Sequence, residues 1–196
     1  MNETFDVISI FDVDRAPKHI ANFETVSRQQ YNDSVDKLIT SGKHELTYVM
    51  DIEDIDLPKR GTKSSAGYDF ISPVGFELAP GEQIIIPTGI RCKMYSDHVL
   101  KLYPRSSVGI KHNISFANTV PIIDADYYNA KNEGHILLSF KNNNKHHWFN
   151  RKKNKANTWV VNAGDRICQG ILLSYGITID DKADTERSGG IGSTGV

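Results

Sequence analysis

Five short segments between residues 65 and 195 hold more Gly, Ser, Arg and Asp than strands or helices require. The first is Ser65-Ala66-Gly67-Tyr68-Asp69-Phe70, and the second is Tyr103-Pro104-Arg105-Ser106-Ser107-Val108-Gly109. An Arg followed by two hydroxyls and a Gly suits a phosphate: the guanidinium donates in a planar fork, the hydroxyls donate singly, and Gly lets backbone amides approach. Read alone, the same residues also make a turn whose Arg forms a surface salt bridge. The third runs from Asn118 to Tyr128, where the apolar pair Ile122 and Ile123 leads into Asp124, Asp126 and two tyrosines. A carboxylate at the end of an apolar strand can take a proton from water, and a neighbouring Tyr ring can pack on a sugar or base. A hairpin turn with ordinary Asp residues is the plainer alternative. The fourth is Gly164-Asp165-Arg166-Ile167-Cys168-Gln169. The fifth, Arg187-Ser188-Gly189-Gly190-Ile191-Gly192-Ser193-Thr194-Gly195, has no core-forming capacity and makes sense if it orders over a polyphosphate.

The elements that must position these groups are short. From Leu46 onward, runs rich in Val, Ile, Tyr and Phe alternate with Gly, Pro, Asn and Asp, as in Glu82 to Pro87, Ile136 to Phe140, Thr158 to Val161 and Ile171 to Ile177. Their length and recurrence predict an all-β, antiparallel sandwich or barrel, with a tight turn at Pro80-Gly81. Residues 1–45 read as an N-terminal extension. Within it Phe23, Val26, Tyr31, Val35 and Leu38 give a loose helical period over Asn22 to Ser41, ending at Gly42. The run Asp51, Glu53, Asp54 and Asp56 reads as a solvated strand edge, because hard-cation loops need a turn glycine among the ligands.

A hydrophobic share of 39% and a charged share of 24% fit a folded domain, not a disordered chain. With 23 Lys and Arg against 24 Asp and Glu, the formal charge of −1 supplies no overall field for nucleic acid or an anionic membrane. Nucleic acid is therefore not an expected partner, and any polyanion site must be local. Cys92 and Cys168 lack neighbours at zinc or redox spacing, and Cys168 reads as a buried hydrophobe. His112, His146 and His147 read as surface groups. The first residues are acidic where a signal peptide is basic, and no stretch approaches the roughly 18 to 20 apolar residues of a membrane span, so a cytoplasmic location is expected. The insert Lys145 to Lys155 interleaves basic residues with Trp148 and Phe149. A nucleic-acid or acidic-partner site is one reading, and a solvated hairpin tip between Asn-rich flanks is the preferred one.

Taken together, the five segments resemble in order and spacing the five motifs of the trimeric dUTPase family. The resemblance runs from about Leu57 to the C-terminus, and the stretch Tyr128 to Gly134 resembles a longer hairpin of some bacterial and phage members. It implies a jelly-roll-like β domain over 46–196, with 179–196 as a C-terminal arm, assembled as a homotrimer whose active sites are shared between subunits. The implied reaction is hydrolysis of dUTP to dUMP and pyrophosphate, with Mg2+ on the triphosphate. A dUTP-gated interaction protein with weak or no catalysis is the alternative.

By the same resemblance Asp124 is the general base that deprotonates the water attacking the α-phosphorus. Tyr127 packs on deoxyribose and excludes a 2′-hydroxyl. Asn118 bonds the uracil edge, and Ile123 of the same hairpin counts among the substrate-binding residues. Arg105, Ser106, Ser107 and Gln169 take the phosphates, Arg187, Ser193 and Thr194 close over the γ-phosphate, Gly192 counts among the substrate-binding residues, and Ile191 covers the base. No direct protein ligand to the metal is implied; Asp69 is read as structural, with contact to Mg2+ through a water as its alternative. Two departures stand out. Ile191 occupies the place of the usual uracil-stacking aromatic, so part of that stacking is expected to be missing. Pro121 replaces a usual Gly and stiffens the hairpin.

Overall fold

The computed structural model describes residues 18–185 and 187. In chain order the elements are β1 (Ala21–Thr25), α1 (Arg28–Thr40), β2 (Leu46–Val49), β3 (Lys59–Arg60), β4 (Tyr68–Ile71), β5 (Val74–Leu78), β6 (Gln83–Pro87), β7 (Ile90–Met94) and β8 (His98–Pro104). There follow α2 (Ser106–His112), β9 (Ile114–Phe116), β10 (Ile122–Asp124), β11 (Leu137–Asn142), α3 (Arg151–Ala156), β12 (Trp159–Val161) and β13 (Arg166–Ser174). The strands form four antiparallel groups: β10-β8-β13-β4-β3, β6-β11-β9, β12-β5-β2 and β1-β7. The all-β expectation holds.

Period-two patterning sets which side faces inward. Ile84 and Ile86 of β6 are buried while Ile85 is exposed, and Trp159 and Val161 flank exposed Val160 on β12. Phe76, Phe116, Phe140 and Trp159 meet at the centre, with ring centroids 4.6 to 5.5 Å apart and tilted or edge-on. Gly81, at φ 84°, makes the expected turn between β5 and β6.

The region before residue 46 contributes to the same core through Phe23, Val26, Tyr31, Val35 and Leu38. The helical reading of Asn22 to Ser41 needs correction at its start, because Ala21–Thr25 pairs with β7 and the helix begins only at Arg28. Ser27 caps it: the Gln30 amide donates to Ser27 Oγ at 3.1 Å. Ser27 itself donates its amide and hydroxyl to Glu133, at 2.8 and 2.6 Å, tying α1 to the segment after Tyr128. The acidic stretch is a 3-10 turn over Ile52–Asp54, not a strand edge. Ile52 and Ile55 point into the core, and Arg28 pairs with Asp51 and Glu53 outside. The insert is likewise no hairpin tip, since Arg151–Ala156 is helical. Among the described residues no helix is long and apolar enough to cross a membrane.

Candidate active site

Strand β13 lies between β8 and β4, with Gln169 opposite Asp69 on one side and Tyr103 on the other. That register gathers the first, second and fourth segments at one end of the sheet. Asp69 places Oδ1 3.4 Å from Arg105 Nε and Oδ2 3.2 Å from Arg166 Nη1. The carboxylate thus braces two guanidiniums. Arg105 precedes α2, and Ser106 and Ser107 stand exposed in its first turn. A cavity of about 320 Å3 opens here, lined by Arg105, Ser107, His112 and Arg166 among others. A Cβ on Gly67 would lie 2.4 Å from Gln169 Oε1, so a larger residue there would displace the Gln169 amide. Cys168 is fully buried in β13, and burial pushes its thiol up, with Asp69 adding to the effect, so it is not a nucleophile.

The third segment builds a second cluster. Strand β10 pairs with β8, Asp124 facing Val99, and the chain then turns through a 3-10 helix at Ala125–Asn129. Ile123 packs against the core while the Asp124 carboxylate stands half exposed at the strand end. Tyr127 is buried, its hydroxyl donating to the His135 carbonyl at 2.8 Å and accepting from Asn132 Nδ2 at 2.7 Å. Burial pushes the phenol up, partly offset by the Asn132 bond and the Arg187 charge. Gly134, at φ 70°, lets the returning chain press on Tyr127; a Cβ there would lie 2.7 Å from the Tyr127 carbonyl oxygen. Asn118 is exposed in the turn between β9 and β10, next to Thr119 at φ 65°.

Arg187 of the fifth segment joins this second cluster. Its Nη2 lies 2.5 Å from Asp124 Oδ2, its Nε lies 2.9 Å from Asp126 Oδ1, and its guanidinium sits 5.8 Å from the Tyr127 ring centroid. Ile191, Gly192, Ser193 and Thr194 fall outside the described residues.

The two clusters are not adjacent within one chain. Arg105 follows the C-terminal end of β8, whereas Asp124 pairs with Val99 near its start. Six extended residues separate them, about 20 Å at roughly 3.3 Å each. Sequence reasoning passed over Arg166 and Asp126, which lie inside segments it had marked. It also passed over Asn132 and His135, whose place beneath Tyr127 depends on the path of the loop. Among the described residues no group of three or more His, Cys, Asp or Glu could hold a metal ion.

Residues 53–195 match the family model described as dUTPase. The deoxyuridine 5'-triphosphate nucleotidohydrolase of Lactococcus lactis is 37% identical over 145 residues, 72% of this chain and 89% of that protein. The crystal structure of a dUTPase from Streptococcus mutans is similar at a TM-score of 0.55 and 36% identity, covering 70% of this chain and 98% of the other. A dUTPase of phage phi11 of S. aureus, described with a structural Mg(II) ion, reaches a TM-score of 0.55 at 20% identity, over 73% of this chain and 97% of that one, a likeness of fold.

Proposed function

The chain belongs to the dUTPase family, and from that premise we propose how its own residues hydrolyse dUTP to dUMP. The alternative of a dUTP-gated interaction protein is not favoured, since the named relatives are nucleotidohydrolases. The observation that carries the mechanism is the strand-end carboxylate of Asp124, half exposed beside the locked ring of Tyr127. Asp124 accepts a proton from water, the water oxygen bonds to the α-phosphorus, and the α–β bridging oxygen leaves with pyrophosphate.

The deoxyribose packs on the Tyr127 face that Arg187 covers in this structure, so Arg187 leaves Asp124 as substrate enters and takes phosphate oxygens instead. Asn118, with the hairpin of Ile123, reads the uracil edge. Arg105, Ser106, Ser107 and Gln169 hold the phosphates, with Asp69 keeping the Arg105 fork in place. Ile191, Gly192, Ser193 and Thr194 complete the closure over the nucleotide. Residues 46–196 are the catalytic unit, with 179–196 as its arm.

Magnesium fits this donor set as an ion carried on the substrate. Asp69 spends its oxygens on two arginines, and Asp124 and Asp126 share a third. An ion that keeps several waters and favours phosphate oxygens supplies charge neutralisation there.

The separation along β8 supports a homotrimer with shared sites. The distance favours a nucleotide that meets Asp124 of one subunit and Arg105 of another.

The test is pyrophosphate release from dUTP with Mg2+, beside dCTP, dTTP and UTP, for wild type and Asp124→Ala. Release from dUTP alone, reduced about 100-fold or more in the variant while dUTP still binds, is expected from loss of a general base. Full activity in the variant would remove Asp124 from the chemistry.

A further inference from the structure

The hydrolase site makes no use of the segment 141–157, which holds six Lys or Arg and no carboxylate. Since the chain carries a net −1, the remainder has seven excess negative charges, and the basic character is concentrated in this one stretch. Lys145, Arg151, Lys152 and Lys155 are exposed, and none forms an ion pair with a described residue. By contrast, Arg28, Arg91, Arg105, Arg166 and Arg187 are all paired. Arg151 and Lys155 sit one turn apart on α3, a like-charge spacing that weakens a helix until a polyanion neutralises it.

Between these cations two neighbouring aromatics stand in solvent: Trp148 is 84% and Phe149 104% exposed. They are held out by a braced loop. The His147 amide donates to Asn154 Oδ1 at 2.7 Å, Asn154 Nδ2 donates back to the His147 carbonyl at 2.9 Å, and the His146 ring meets Trp148 edge-on at 4.7 Å. At its root Asn144 Nδ2 donates to the His112 carbonyl at 2.8 Å, and buried Asn142 donates to the carbonyls of Leu78 and Asn157, at 2.9 Å each. A solvated tip has no need of such bracing, whereas a contact surface benefits from being ordered before its partner arrives.

We propose that the loop 145–150 with α3 is a binding surface for single-stranded nucleic acid, whose bases stack on Trp148 and Phe149 while Lys145, Arg151, Lys152 and Lys155 track its phosphates. Adjacent planar side chains flanked by unpaired cations offer what an unstacked strand needs. A duplex keeps its bases stacked on one another, and an acidic peptide owes its charge to carboxylates, which carry no aromatic face to stack on the pair.

The test uses the full chain and a fluorescein-labelled oligothymidine of about 12 nucleotides. Anisotropy reads binding, and Trp148 emission reports the site directly, because the only other tryptophan, Trp159, is buried. The expected result is quenching by the oligonucleotide and affinity about tenfold or more weaker for Trp148→Ala/Phe149→Ala, as loss of stacking predicts. Arg151→Ala/Lys152→Ala/Lys155→Ala should flatten the slope of log affinity against log salt by about 2, because three phosphates of the single strand are no longer neutralised. Hydrolysis of dUTP in both variants stays at the wild-type level and shows that they are folded. Equal affinity with and without the aromatics, equal binding of the same sequence as duplex, or equal binding of polyglutamate overturns the proposal. So does a raised KM for dUTP in the aromatic variant, which would place the pair on the nucleotide substrate instead.

Discussion

His135 joins three parts of the molecule through one side chain and its carbonyl. Its Nε2 accepts from the Gly89 amide at 2.8 Å, its Nδ1 lies 3.2 Å from the Ser34 hydroxyl of α1, and its carbonyl accepts a hydrogen bond from the Tyr127 hydroxyl. The Ser34 hydroxyl donates to the Gln30 carbonyl at 3.0 Å, so the ring proton is assigned to Nδ1. A second proton at Nε2 would face the Gly89 N–H, donor against donor, inside the core. Burial pushes the imidazole down to about 4, with Glu133 opposing it weakly. The unfolded chain takes up a proton near its ordinary value of 6.5, which the folded chain refuses until about 4. Between those limits the unfolded state binds more protons, so stability rises with pH through this window and is lost as pH falls through it. The total is on the order of 3 kcal/mol at most. Glu133, lowered by its bonds from Ser27, acts in the same direction at lower pH. Urea midpoints measured between about pH 7 and pH 4 should fall steadily for wild type. His135→Asn, which cannot titrate, should lose most of that slope; an unchanged slope would assign the acid sensitivity to other groups.

At the scale of elements, α1 belongs to the core. Tyr31, Val35 and Leu38 follow a helical stripe and are all buried, and burial carries the Tyr31 phenol up to about 12. Leu38→Ala should therefore cost about 2 to 5 kcal/mol in urea unfolding, as for a core leucine. A cost below about 0.5 kcal/mol, the level of a surface change, would make the helix peripheral. That stripe was legible in the sequence, but its start was not. Phe23 and Val26 fit a helical period as well as the end of a strand, and only the pairing of Ala21–Thr25 with β7 decides between them. Ile52 and Ile55 were legible as apolar, yet a spacing of three belongs to a single 3-10 turn, where the acidic neighbours suggested a strand edge. The helix α2 was hidden because Ser106 to His112 buries only Val108 and contains a Gly. For α3 there was no apolar stripe to read.

For the whole molecule, the sequence pointed to candidate groups for the chemistry but not to their distribution. Arg105, Gln169, Asp124 and Tyr127 stand out because their residue types are wasteful in a plain sandwich. That Arg105 and Asp124 flank opposite ends of β8 depends on β10 pairing with Val99, a long-range register that no local pattern encodes. The separation makes a prediction about assembly. Ile110, Ile122, Ile177 and Ile179 are each at least half exposed, and association between subunits would cover some of that apolar area. If each site takes Asp124 from one subunit and Arg105 from another, Asp124→Ala and Arg105→Ala homotrimers should both be nearly inactive, each lacking one half at every site. Co-expressed in equal amounts, the two variants should form mixed trimers in which about a quarter of the sites combine an intact Asp124 with an intact Arg105. Activity should then rise to about a quarter of wild type, with the mass of three 22.0 kDa chains by sedimentation. Were both groups supplied by the same subunit, every site in the mixture would lack one of them and activity would stay at the level of the parents. Arg187 makes the contrasting case, because it bonds Asp124 of its own chain in this structure. Pairing Asp124→Ala with Arg187→Ala in the same co-expression therefore reports whether the arm keeps that partner in the working enzyme: restored activity would mean that it crosses to a neighbour when the nucleotide binds, and no restoration that it closes over its own subunit's carboxylate.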